Sequence, residues 1–157
     1  MGLAQVIVLL LHPFAAMLVI REFIRQREWR IKRIELKDSD RSNALERHEK
    51  EGNIILILVV FVILLAFFAR ITTAFMDGEK LGLATVLPGH FHGWSGLLGL
   101  LLMIYLWSLG RKTKSLMSTG EKFTRVKELH GRISDVMMGL ILIHAFLGFL
   151  YLLKIIG

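Results

Sequence analysis

The chain has 157 residues, 54% of them hydrophobic, with a mean hydropathy of +0.58 and a formal net charge of +7. That is too apolar for an ordinary soluble protein, and one domain is expected at this length. Without cysteine, disulfides, thiolate ligands, iron–sulfur clusters and covalently attached haem are excluded, so any metal falls to His, Met or carboxylate groups. The positive charge does not indicate nucleic acid, because it is gathered between apolar segments as in membrane proteins.

Four apolar segments, at about 3–20, 52–76, 91–109 and 133–153, are each long enough to cross a bilayer at about 1.5 Å per residue. They predict an all-α, integral membrane four-helix bundle in which residues 1–157 form one domain. The first segment has no basic leader and no small-residue cleavage site, so it reads as a retained helix. Pro13 inside it is tolerable in a membrane and is expected to kink the chain and present His12. Residues 21–51 and 110–132 read as basic connections: 21–37 carry seven Lys/Arg against three Glu, and 111–132 carry seven against two. By the positive-inside rule both face the cytoplasm or its equivalent, with both termini on the outer side of a bacterial inner (plasma) or thylakoid membrane. Phe23, Ile24, Arg27, Ile31, Ile34 and Leu36 continue a helical spacing past the first segment, and Trp29 suits the headgroup region. This arm is a candidate contact for anionic lipid or a protein partner.

Five of the six histidines have a small residue four positions on: His12 with Ala16, His48 with Gly52, His92 with Gly96, His130 with Ser134 and His144 with Gly148. On a helix that position lies on the same face one turn along. A flat macrocycle held by an imidazole needs bare backbone there, so the pattern predicts haem ligation. His48 and His130 stand just before their apolar runs, near the inner surface. His144 follows His130 by 14 residues, about 21 Å along the helix and about 40° round it. His12 and His144 share a depth from the outer side, and His92 lies at the outer mouth. The expected sites are therefore His48 with His130 at the inner level and His12 with His144 at the outer, with His92 competing for the outer slot. Two imidazoles per iron give a centre suited to electron transfer rather than oxygen binding.

Other residues have candidate roles beside bland ones. Arg70 is placed either to meet a haem propionate or to snorkel, and Arg125, Lys127 and Arg132 offer the same at the inner level. His90, followed by Trp94 at the fourth position, suits a helix start or a propionate contact. Gly93, Gly96, Gly99 and Gly139 suit close cofactor approach or helix packing equally well. Met117, Met137 and Met138 read as filler ahead of ligands. Asp135 reads as a cap or a partner of Arg132, or as a proton relay if a quinone binds nearby. Trp94 and Trp107 bracket their helix as interfacial anchors do.

The His12-Pro13 dipeptide, His48-x-x-x-Gly52, His92-x-x-x-Gly96 and Lys127-x-x-His130 resemble an uncharacterised family of four-helix membrane proteins of oxygenic phototrophs, across all four helices. The resemblance implies His12, His48, His92 and His130 as the family's histidines, which favours His92 over His144 as the partner of His12. More broadly the chain is similar to b-type di-haem membrane cytochromes of the ascorbate-reducible and ferric-reductase kinds. It departs from them in having fewer helices and no second helix with two histidines 14 residues apart. The function expected is electron transport across or along the bilayer through two b haems. Two alternatives stand beside it: an accessory subunit of a photosynthetic or respiratory complex, and a chlorophyll-binding protein. With no nucleotide-binding glycine motif and no catalytic triad, other redox or membrane subunits are expected to supply the donor or acceptor.

Overall fold

The computed structural model describes residues 2–32 and 38–156. Helix α1 spans Leu3–Lys32, α2 spans Asp38–Met76, α3 is a single turn at Leu83–Val86, α4 spans Phe91–Ser118 and α5 spans Thr124–Ile156. All four long helices are long and apolar enough to cross a membrane, and Pro13 is accommodated inside α1 without ending it. The helices outrun the apolar segments because the basic stretches are rich in Arg, Lys, Glu and Leu, which are good helix formers. Ion pairs along and between them reinforce this, including Glu46–Lys50 at 2.7 Å, Arg25–Glu51 at 3.1 Å and Lys114–Glu49. The side chains of Trp29 and Ile31, and Ile34 and Leu36 altogether, lie outside the described residues, so the face expected of the basic arm does too.

Two of the turns end in the same device. After α2, Gly78 adopts φ 71°, with Gly78 N–H donating to Phe75 O at 3.1 Å and Glu79 N–H to Ala74 O at 2.9 Å. After α4, Gly120 at φ 73° repeats it, with Glu121 N–H donating to Leu116 O at 2.9 Å. Both are Schellman stops, and the positive φ is what requires glycine. α4 begins at His90, an extended residue whose Nδ1 accepts Gly93 N–H at 3.1 Å. The Nε of Arg70 donates to Thr85 O and so fastens α3 over the end of α2.

α1 with α2, and α4 with α5, form two tight hairpins, which meet chiefly where α2 lies against α4. Short connections make the helix pairs antiparallel, so both termini and α3 share one end and the basic connections share the other. The core is a cluster of Phe23, Ile55, Met103, Leu106 and Met137 contributed by all four long helices. Met137 stands seven residues from His130 and seven from His144, so this apolar cluster lies between two histidine levels. Large apolar side chains such as Leu64, Phe68, Leu101, Leu142 and Phe146 are exposed. In a membrane-spanning bundle that outward face is the lipid face.

Candidate metal centre

At the basic end, His48 of α2 and His130 of α5 face one another with ring centroids 6.3 Å apart and planes 76° from parallel. His130 Nδ1 lies 3.0 Å from Leu106 O on α4. A carbonyl can only accept, so Nδ1 carries the proton and Nε2 keeps its lone pair. At the α3 end three histidines converge. His12 and His92 have centroids 5.9 Å apart at 76°, while His92 and His144 stack at 4.1 Å and 20°. One ring nitrogen from each of the three lies within 4.8 Å of the others.

The tautomers at this level follow from the oxygens. His12 Nδ1 is 3.1 Å from Val62 O, and His92 Nδ1 is 3.1 Å from His144 O. Ser95 Oγ donates its single hydrogen to His92 O at 2.9 Å, so at 2.9 Å from His144 Nδ1 it accepts. All three imidazoles therefore carry hydrogen on Nδ1 and a lone pair on Nε2. Histidines that bind metal are commonly held this way, with the second nitrogen bonded to an oxygen that fixes the ring. The structure thus gathers His12, His92 and His144 at one level, whereas the spacing alone offers His92 and His144 as competitors for one outer slot. The register of α4 against α5 brings His92 down to the level of His144.

The small residues have a different neighbour from the one their spacing suggested. A Cβ built on Gly148 would lie 2.7 Å from Cε1 of His92, one on Gly96 3.0 Å from Cε1 of His144, and one on Gly110 3.4 Å from Cε1 of His130. Each glycine thus makes room for an imidazole of the opposite helix. The reason is helical geometry: the carbonyl of residue i points at the N–H of residue i+4. A ring that bonds the carbonyl from outside passes the Cα four residues on. His92 bonds the carbonyl of His144 and rests on Gly148; His130 bonds that of Leu106 and rests on Gly110. Gln26 makes the same approach, donating to His48 O at 2.5 Å with a Gly52 Cβ position 3.6 Å from its Nε2.

These ties repeat. On α1 they fall at His12 and Gln26 and on α2 at Val62 and His48; on α4 they fall at His92 and Leu106 and on α5 at His144 and His130. The interval is 14 residues on every helix, and His12 precedes His48 by 36 residues as His92 precedes His130 by 38. The two hairpins are therefore equivalent units. His12 corresponds to His92 and His48 to His130, while His144 corresponds to Val62. That internal repeat is the signal the sequence reading passed over, together with Gln26, Ser95 and Gly110.

Several of the remaining candidates have structural partners. Ser134 is buried, and its carbonyl accepts Arg27 Nη1 at 2.7 Å; Asp135 pairs with Arg27 Nη2 at 2.7 Å rather than with Arg132. That ion pair and bond tie α1 to α5. Trp107 donates to Asn53 at 2.7 Å, joining α4 to α2. Burial first, and then the nearby Arg70 guanidinium, hold His90 below the ordinary imidazole range, which keeps its Nδ1 free to accept the Gly93 N–H. Its ring lies 4.0 Å from that of Tyr151 and 6.0 Å from that of His92. Comparison with protein-family models, curated proteins and solved structures finds no match to this chain.

Proposed function

We propose that the bundle holds two haem-type metal centres, His12 with His92 at the α3 end and His48 with His130 at the basic end, and carries electrons between the two ends. One observation carries this reading: two imidazole pairs at equivalent positions of the two hairpins share one geometry, with centroids 5.9 and 6.3 Å apart and both at 76°. A metal–nitrogen bond of about 2 Å, added to a ring radius of about 1 Å, puts two imidazoles on opposite sides of one metal with centroids roughly 6 Å apart. Each pair also spans the seam between the hairpins, and His12, His92 and His130 offer Nε2 with Nδ1 tied to backbone.

A haem held by His12 with His92, or by His48 with His130, would supply one-electron exchange. The chain supplies the rest. Val62, Leu106 and His144 carbonyls hold the rings in one tautomer, and the Phe23–Met137 cluster keeps water from between the levels. Pairing favours haem over chlorophyll, whose magnesium usually takes a single axial ligand. The test is a pyridine haemochrome assay with metal analysis on the purified chain. Two haems per chain are expected, and a chain with full helical content but no visible absorption would refute the reading.

One observation favours a second reading. The convergence of His12, His92 and His144 within 4.8 Å suits a bare divalent ion, since three imidazoles and an open fourth position make a tetrahedral zinc-type site. Stoichiometric zinc with no haem would select it.

A further inference from the structure

At the basic end, on the lipid-facing side of the α4–α5 hairpin, a groove of about 500 Å³ is lined by Tyr105, Ser108, Leu109, Lys112, Arg125, Val126 and Leu129. Its chemistry changes along its length. Leu109, Val126 and Leu129 form an apolar floor beside the membrane core. Lys112, one turn beyond the apolar part of α4, and Arg125, in the first turn of α5, stand at its polar end. Both cations are exposed, and neither has an acid within ion-pair distance among the described residues. Their neighbours are spoken for: Lys114 pairs with Glu49, and Arg111 lies 5.1 Å above the Trp107 ring.

We infer that this groove is a specific site for one anionic phospholipid. The headgroup phosphate lies between Lys112 and Arg125, and one acyl chain runs over Leu109, Val126 and Leu129. Charge complementarity selects the occupant. Two cations from different helices at the hydrocarbon boundary, above an apolar channel, match a molecule with one phosphate and a tail, and basic pockets between transmembrane helices hold such lipids. A zwitterionic lipid meets the same floor, but its own ammonium competes for the phosphate. The site rests on no metal centre and stands whether or not the two histidine levels bind haem.

The experiment is native mass spectrometry and thermal melting of the detergent-purified full chain with added phosphatidylglycerol or phosphatidylcholine. One phosphatidylglycerol is expected to be retained per chain in preference to phosphatidylcholine, with a higher melting temperature. Lys112→Gln/Arg125→Gln should fold normally and lose that preference by roughly tenfold, while Lys122→Gln, outside the groove, should keep it. Equal retention of the two lipids by the native chain would overturn the proposal, as would a preference that survives the double substitution. A double variant that keeps its lipid preference but loses a visible absorption band would overturn it too, assigning the cations to a cofactor carboxylate.

Discussion

Among the described residues, both side-chain-to-carbonyl ties of the α4–α5 hairpin are imidazoles resting on glycine. In the α1–α2 hairpin one tie is His12 bonded to Val62 O, and the other is the amide of Gln26 bonded to His48 O. The two units nonetheless place a histidine at each level, and these histidines face their equivalents across the seam. What differs is what stands behind them. α5 has His144 where α2 has Val62, and Gly148 and Gly96 lie closer to their rings than Gly52 does to Gln26. The shared part is the set of positions whose imidazoles face one another across the seam; the variable part is the packing that holds them.

The most severe break in the comparison is loss of a facing histidine. On the proposed two-haem reading, His92→Ala and His12→Ala should each remove one haem, and His48→Ala and His130→Ala should each remove the other. Haem per chain falls by about half in all four, and the two members of a pair abolish the same spectral component. Four variants that lose four different components would show that the hairpins are not equivalent. An unchanged haem content in any of them would remove that residue from the ligand set.

The next effect separates the hairpins by how tightly they pack. Alanine in place of glycine inside a helix gains about 1 kcal/mol in propensity, while overpacking costs about 1–3 kcal/mol. At Gly148 the new methyl meets His92 Cε1 at 2.7 Å, at Gly110 it meets His130 at 3.4 Å, and at Gly52 it meets Gln26 at 3.6 Å. Gly148→Ala should therefore destabilise the chain, Gly110→Ala should come out near neutral, and Gly52→Ala should be neutral or stabilising. Thermal melting in one detergent ranks the three. Gly52→Ala as harmful as Gly148→Ala would mean that ring contact does not set the order.

The four membrane helices were legible because a span of about 20 apolar residues between basic stretches has few other physical solutions. The histidines stood out because an imidazole in an apolar helix is costly to keep without a purpose. What the spacing did not carry was the identity of the neighbour. His92 and Gly96 share a helix face, but the ring facing Gly96 is His144, from a helix that starts 33 residues after Phe91. A period of four reads one helix, whereas these contacts depend on the register between two. Ser95 was illegible for the same reason, since its value lies in bridging His92 O and His144 Nδ1.

A smaller effect comes from making the second hairpin more like the first. His144→Val copies Val62 and removes the ring stacked 4.1 Å from His92, but leaves the His144 position's carbonyl to hold His92. Haem content should stay the same, with only the absorption or EPR signature of the α3-end centre shifted. Complete loss of that centre would transfer the ligand role from His92 to His144.

The mildest change lies at Gln26, whose tie to a carbonyl of the facing helix is made by an amide and not an imidazole. Gln26 donates to His48 O through Nε2, but its Oε1 is buried with no hydrogen-bond partner among the described residues. Gln26→Ala gives up a hydrogen bond with a net value of about 1 kcal/mol and at the same time removes an unsatisfied acceptor that disfavours burial. The two nearly cancel, so the melting temperature should hardly move. The absorption band assigned to the His48–His130 level should be the better reporter, because the carbonyl that anchors this turn of α2 loses its neighbour. Gln26→His would give the α1–α2 hairpin two imidazole ties, the second running from its first helix where that of its counterpart runs from the second, and should leave that band in place. A marked loss of stability in Gln26→Ala with an unaltered band would show that Gln26 serves the hairpin and not the site.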